Sequence, residues 1–218
     1  MSQGNWADAD FSGLKDLHGK FSSSNMLRCL FIGSDLSGLL LKNNNVDSCD
    51  FSNSNFSNSH IHHSNLLNNL FKNCSLKETE FSGSNLSGCN LTDASLQETR
   101  FSTSFMYGCD LTGADLTGVV IKSGGLEKNT ITDSVWSHTS FIGSHLVDMV
   151  FEGKLENCSF ENCSFKKVTF QNVTLINTFF KNNNLKKVQF IDCKVDRMTF
   201  AFLKTGKADL TGITLLPS

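Results

Sequence analysis

Residues 156–165 read ENCSFENCSF, the same five letters twice, which sets Cys158 and Cys163 five residues apart. A doubled cysteine motif suits a metal site, a disulfide, or a repeat in which cysteine is merely a small residue. The choice depends on whether the period of five extends beyond the stretch, and it does. Every fifth residue from Trp6 to Phe151 is apolar, with Asp16 the one exception. The count resumes from Leu155 to Leu215 and is broken only by Thr205. One residue is missing between the two series, at Glu152-Gly153-Lys154. A period of five fits neither an α-helix nor a flat strand.

The residue two before each large apolar centre is mostly small: Ala9, Ser24, Cys29, Ser34, Cys49, Ser54 and Ser59 begin that series. The residue just before the centre is often Asp or Asn, and the two after it are polar or Gly. One large and one small inward residue per five, with polar residues between, describe a chain that turns a corner every quintet. No quintet can bury its own inward pair, so coils must stack and share a core, as solenoids do.

This pattern resembles the pentapeptide-repeat family, whose units read A(D/N)LXX. The best matches are ADF (9–11), CDL (109–111), ADL (114–116) and ADL (208–210). The resemblance covers about residues 5–215 and implies an all-β fold: a right-handed quadrilateral parallel β-helix with four quintets per coil. The 30 centres from Trp6 to Phe151 and 13 from Leu155 to Leu215 then make about ten to eleven coils. At the strand spacing of ~4.8 Å per coil the rod should be roughly 50 Å long. With no linker interrupting the repeat, residues 1–218 are expected to form one domain.

Counting twenty residues per coil places Phe11, Phe31, Phe51 and Phe71 in one column and Phe81, Phe101, Phe141 and Phe160 in another. Stacked rings would supply much of the burial. Asn25, Asn45, Asn65 and Asn85 fall in an outer column, where amide ladders bond along the stack. Irregular capping coils are expected near 1–20 and 201–218, with Asp16 displaced outward and a leucine (Leu14 or Leu17) inside in its place. The missing residue at 152–154 should shift the phase and bend the rod.

All eight cysteines occupy the small inward position, so the expected role is that of small buried hydrophobes with reduced thiols. Cys158 and Cys163 would sit on adjacent faces, too far apart for an unstrained bridge. The one histidine cluster, HIHHSN (60–65), flanks the inward Ile61, so His60, His62 and His63 should all face solvent. Of the positions above and below them only Glu80 could ligate an ion, and no metal site is expected. No nucleophile elbow, P-loop or dinucleotide glycine pattern occurs. No catalytic residue and no cofactor are therefore assigned.

A formal net charge of −2, from 19 basic and 21 acidic residues, gives no global nucleic-acid signature, so a nucleic-acid partner is disfavoured. No run of 18 apolar residues is present, which excludes a helical membrane span. The start, MSQGNWADAD, has neither a basic region nor an apolar stretch, so a cytoplasmic location is expected, with non-classical secretion left open.

Function must then lie on the outer faces, in departures from the repeat. SFMYG (104–108) puts Phe105 where Asp or Asn is usual, with Tyr107 on the other side of Met106. Leu67 and Val147 share the outward column of Tyr107, and together these residues form a candidate contact rim for a protein partner. Residues 1–150 hold 9 basic and 15 acidic residues, a balance of −6, whereas residues 151–218 hold 10 and 6, a balance of +4. Lys166, Lys167, Lys186, Lys187, Lys204 and Lys207 should make a basic stripe suited to an acidic protein, lipid headgroups or nucleic acid, or a solvated face.

The best-known relatives protect DNA gyrase by DNA-like shape and negative charge, and others are bacterial secreted effectors. The gyrase-protecting kind is expected to carry a C-terminal helical segment and often loops between coils. This repeat runs to Leu215 without a visible insertion and is basic in its last third, so topoisomerase protection is the alternative reading and an interaction scaffold the preferred one. Neither the partner nor the oligomeric state is legible.

Overall fold

The computed structural model describes residues 4–17 and 19–217. The chain winds into a parallel β-solenoid of about ten turns. Strands pair at offsets of twenty residues: Met26 with Val46, Val46 with Leu66, and Leu66 with Leu86 on one face. Leu41, Ile61, Phe81 and Phe101 pair in the same way on a second face. The other two faces carry single parallel bridges, as between Asp10 and Leu30 or Asp35 and Asn55. Among the described residues these ladders make one thirteen-stranded and one eight-stranded sheet.

The corner lies two residues after each centre and has left-handed backbone geometry. Asn43, Asn53, Asn58, Asn68 and Asn73 occupy it at φ of 54–61°, and Gly33, Gly38, Gly83 and Gly88 at 59–66°. Asn and Gly tolerate that region better than other residues, which accounts for their abundance in the chain.

The core is a stack of apolar columns. Phe11, Phe31, Phe51 and Phe71 lie face to face at 5.0, 4.8 and 5.1 Å. Phe141 stacks on Phe160 at 4.7 Å, and Phe160 on Phe180 at 4.9 Å. Neighbouring columns meet edge to face, as Phe160 meets Phe170 at 89°. Offset and T-shaped packing of this kind adds to plain area burial.

All eight cysteines are buried. Many inward hydroxyls and thiols donate to the carbonyl of the centre one coil below. Ser34 Oγ bonds Phe11 O at 2.8 Å, Thr79 Oγ1 bonds Phe56 O at 2.8 Å, and Cys74 Sγ bonds Phe51 O at 2.8 Å. Buried asparagines do more at the same position. Asn69 Nδ2 donates to Val46 O at 3.0 Å while its Oδ1 accepts from Cys49 N at 2.9 Å. Cysteine therefore stands in for serine, and ENCSF is ordinary repeat. The outer amide ladder forms in part, with Asn25 Nδ2 on Asn5 Oδ1 at 2.7 Å and Asn65 Nδ2 on Asn45 Oδ1 at 3.1 Å.

Three irregularities have local causes. Asp16 is exposed at φ 56° and Leu17 is buried in its place, while Leu14 stays outside. Phe21 then adopts φ 65°, which returns the chain to register one residue early. The deletion after Phe151 is absorbed in the strand pair His145–Glu156 and Ser164–Ile176. Phe151 pairs with Phe170 but Gly153 with Val173, so the partner strand bulges by one residue. The phase shift is as expected; the core columns run through it, since Phe151 still stacks on Phe170 at 4.9 Å.

The last coil is irregular, and what the sequence did not indicate is a helix in it. Thr205 is not a core centre, because an α-helix, Arg197–Thr205, replaces one side of the coil. The small inward position would fall on Met198, which is instead exposed. The chain extends by one residue so that Thr199 enters the core. Asp196 caps the helix, accepting from Thr199 N at 2.7 Å, and also accepts from Asn177 N at 2.6 Å on the coil below. Leu203 is fully buried and Phe202 packs edge-on to Phe179 at 5.4 Å. A side chain at 206 would strike Leu185 Cδ1 at 2.8 Å, so glycine there lets the helix end close against the rod. Ile213–Leu215 regains register with Cys193–Val195, although Leu215 is exposed because no described coil covers it.

Candidate functional site

Inward residues are spent on packing, so chemistry is confined to side chains flanking each centre. In the face built by Asn85–Ser87, Phe105–Tyr107 and Gly125–Glu127, residues either side of the centre point outward. The register places Leu27, Asp47, Leu67, Ser87, Tyr107, Glu127, Val147 and Lys166 in one column. The parallel column on the other side of the centres runs Asn85, Phe105, Gly125, His145 and Ser164.

Phe105 and Tyr107 are 48% and 46% exposed, as the sequence predicts. They line a groove of about 280 Å³ with Gly125, Glu127, His145 and Val147. Gly125 was not singled out by sequence reasoning. Its signal is the break in the Asn column, where Asn85 is followed by Phe105 and then by a residue without a side chain. Tyr107 is held from the side: Lys128 Nζ lies 3.3 Å from its Oη and 5.2 Å from its ring centroid. The hydrogen bond to Tyr107 raises the Lys128 ammonium above its ordinary pKa. Such cation–π contacts rigidify an exposed aromatic at little cost.

Leu67 does not join that groove. It lies two coils away, in a separate depression with Asn25, Leu27, Asn45, Asp47 and Asn65. Val147 does join it, and its register partner on the next coil is Lys166. Lys166, Lys167 and Lys187 surround a cleft of about 490 Å³ with Phe165, Thr169 and Gln189, and Lys186 and Lys187 border the next. Lys167 also pairs with Asp148 at 3.5 Å, an exposed contact that contributes little stability. The basic stripe is therefore shorter than predicted. Lys204 lies in the last turn of the helix and Lys207 beyond it, since the helix removes both from the regular coil.

The histidine cluster is also not as predicted. His60 and His63 are exposed, but His62 is only partly so and its Nε2 is enclosed without a hydrogen-bond partner. Among the described residues no helix is long and apolar enough to cross a membrane.

A family model described as pentapeptide repeats matches residues 49–88 and 84–121. Residues 49–121 thus carry repeats of the pentapeptide type. A second model, described as the SV2A/B/C luminal domain, matches residues 124–200. The comparison with curated proteins returned no match. Among solved structures, a trypsin-treated form of QnrB1, a plasmid-mediated fluoroquinolone resistance protein, is similar at 20% identity. That likeness covers 96% of this chain and 100% of the other, with a TM-score of 0.47. HetL, a pentapeptide-repeat protein involved in heterocyst differentiation regulation in the cyanobacterium Nostoc, is similar at 16% identity. It covers 86% and 90% of the two chains, with a TM-score of 0.26.

Proposed function

We propose that this protein is a non-enzymatic, rigid interaction scaffold whose protein partner docks across the Phe105–Tyr107–Val147 groove. The observation that carries this reading is the groove's construction. Phe105 stands over the bare backbone of Gly125 and Tyr107 flanks it across Met106, on strands held at both edges by neighbouring coils. Aromatic anchors on a pre-organised surface lose little conformational freedom on binding, which is what an interaction hot spot requires. Lys166, Lys167, Lys186 and Lys187 continue the same face, so the partner carries acidic residues beside its apolar contact. Leu67, two coils away, lies at the margin of this footprint. Flat faces between bonded coils support docking better than turnover.

Affinity capture with the intact rod tests the reading. Proteins retained by the wild-type chain should be lost with Phe105→Ser/Tyr107→Ser and weakened with Lys166→Glu/Lys167→Glu; equal retention by the double serine variant would remove the proposal. A gyrase supercoiling assay with fluoroquinolone separates topoisomerase protection, since a scaffold of this kind neither rescues nor inhibits gyrase at micromolar concentration.

A further inference from the structure

We propose that His60, His62 and Glu80 form a site for one divalent transition-metal ion of the zinc class, on a different face from the aromatic groove. Ile61 is fully buried, so His60 and His62, either side of it in the strand His60–His62, both project from the outer surface. The next coil supplies Glu80, whose register partner is His60. The two imidazole centroids are 5.9 Å apart and nearly perpendicular, and His60 Nδ1 lies 3.3 Å from Glu80 Oε2. One ligand atom from each of the three residues falls within 4.8 Å of the others.

A second observation is independent of that convergence. The Nε2 of His62 is shielded from solvent and makes no hydrogen bond, one of three such side-chain atoms among the described residues. An enclosed polar nitrogen without a partner costs free energy, and a bound ion would supply the missing contact.

The scaffold leaves little to organise. His60 N donates to Leu39 O at 2.9 Å, His63 N to Ser82 O at 2.8 Å, and Glu80 N to Ser59 O at 2.8 Å. Ile61, Phe81 and Phe101 anchor the three strands from inside. Zinc bonds of about 2.0–2.2 Å bring tetrahedral ligands to about 3.3 Å from one another, which side-chain rotation alone can reach. Two imidazole nitrogens and one carboxylate suit zinc, cobalt, nickel or copper, whereas magnesium and calcium require mostly oxygen. Three protein ligands leave a coordination position open to water or to a donor from outside. Glu78 and Glu98 line a shallow groove with His60 and Glu80, and offset the charge of Arg100 there, which would otherwise repel a cation.

Titration of the metal-free intact chain with zinc chloride by calorimetry tests the site. One zinc per chain is expected, with affinity reduced at least about tenfold in His62→Gln and in Glu80→Gln. The neighbouring His63→Gln, whose ring lies over Gly83 instead, should bind as the wild type does. Cobalt in place of zinc should give visible ligand-field bands that His62→Gln abolishes, which separates this site from binding at cysteine. The altered side chains lie outside the core, and unchanged thermal midpoints of the metal-free variants would verify that they fold. No binding, or undiminished binding by both His62→Gln and Glu80→Gln, would overturn the proposal; the latter would mean an adventitious ion only.

Discussion

Phe105 and Gly125 are register partners on adjacent coils, and the Phe105 ring occupies the space that a side chain at 125 would need. A Cβ at 125 would stand 3.3 Å from Phe105 Cδ1 and 2.8 Å from the His145 carbonyl oxygen. The groove thus exists because one coil omits a side chain where the coil below projects an aromatic one.

Gly125→Ala should consequently cost about 1–3 kcal/mol, because a backbone oxygen rather than a flexible side-chain tip must move. Phe105→Ser, on the exposed side of the same pair, should change stability by no more than about 0.5 kcal/mol. Denaturant melts of the two variants measure the contrast, and a larger loss for Phe105→Ser would show that the aromatic is structural.

The core columns predict the opposite sensitivity. Phe160 is fully buried between Phe141 and Phe180, at 4.7 and 4.9 Å. Phe160→Ala should lower stability by about 3–5 kcal/mol, with the loss visible in hydrogen exchange of the adjoining coils first.

Cysteines are expected to behave as serines with a hidden thiol. Cys74→Ser keeps the donor to Phe51 O and should be nearly neutral, whereas Cys74→Ala removes one of that carbonyl's two bonds, the other coming from Ser54 N at 3.0 Å, and should cost about 0.5–1.5 kcal/mol. Burial pushes the Cys49 and Cys74 thiols up to about 12 from an ordinary 9.0. The folded chain therefore keeps protons that the unfolded chain releases, and stability should decline as pH rises from about 9 toward 12. Ellman's reagent at mild alkaline pH should find these thiols unreactive until the protein is unfolded.

On the acid side the sign reverses. Asp110 accepts from the Thr112 hydroxyl at 2.6 Å and from its backbone N–H at 3.0 Å, and these bonds hold its carboxyl below 3.8. Asp35 is lowered by similar bonds from Ser37, with its N–H at 3.1 Å. Unfolded carboxyls take up protons first, so this stability is complete above about pH 4 and lost as pH falls through the folded values. Asp35→Asn/Asp110→Asn should flatten the acid limb of a stability–pH curve by lowering its neutral plateau, because a neutral amide lacks the contribution of the ionised carboxylate. Asn90 already makes the same turn, accepting from Thr92 N at 3.0 Å.

The period of five was enough to locate the core from Trp6 to Val195, Asp16 apart, because each quintet must bury its large residue whatever its neighbours are. The same count placed the cysteines inside and Leu67, Tyr107 and Val147 in one column, since column membership follows from dividing position by twenty. It failed in the last coil. Met198 stays outside the core, and the helix Arg197–Thr205 takes Thr205, Lys204 and Lys207 out of the pattern. A one-dimensional count also carries no information about how far a side chain leans. That Phe105 closes over Gly125, and that His62 Nε2 is enclosed beside His60 and Glu80, are consequences of coils stacked against one another. Those contacts join residues twenty apart through rotamers that only the assembled rod selects.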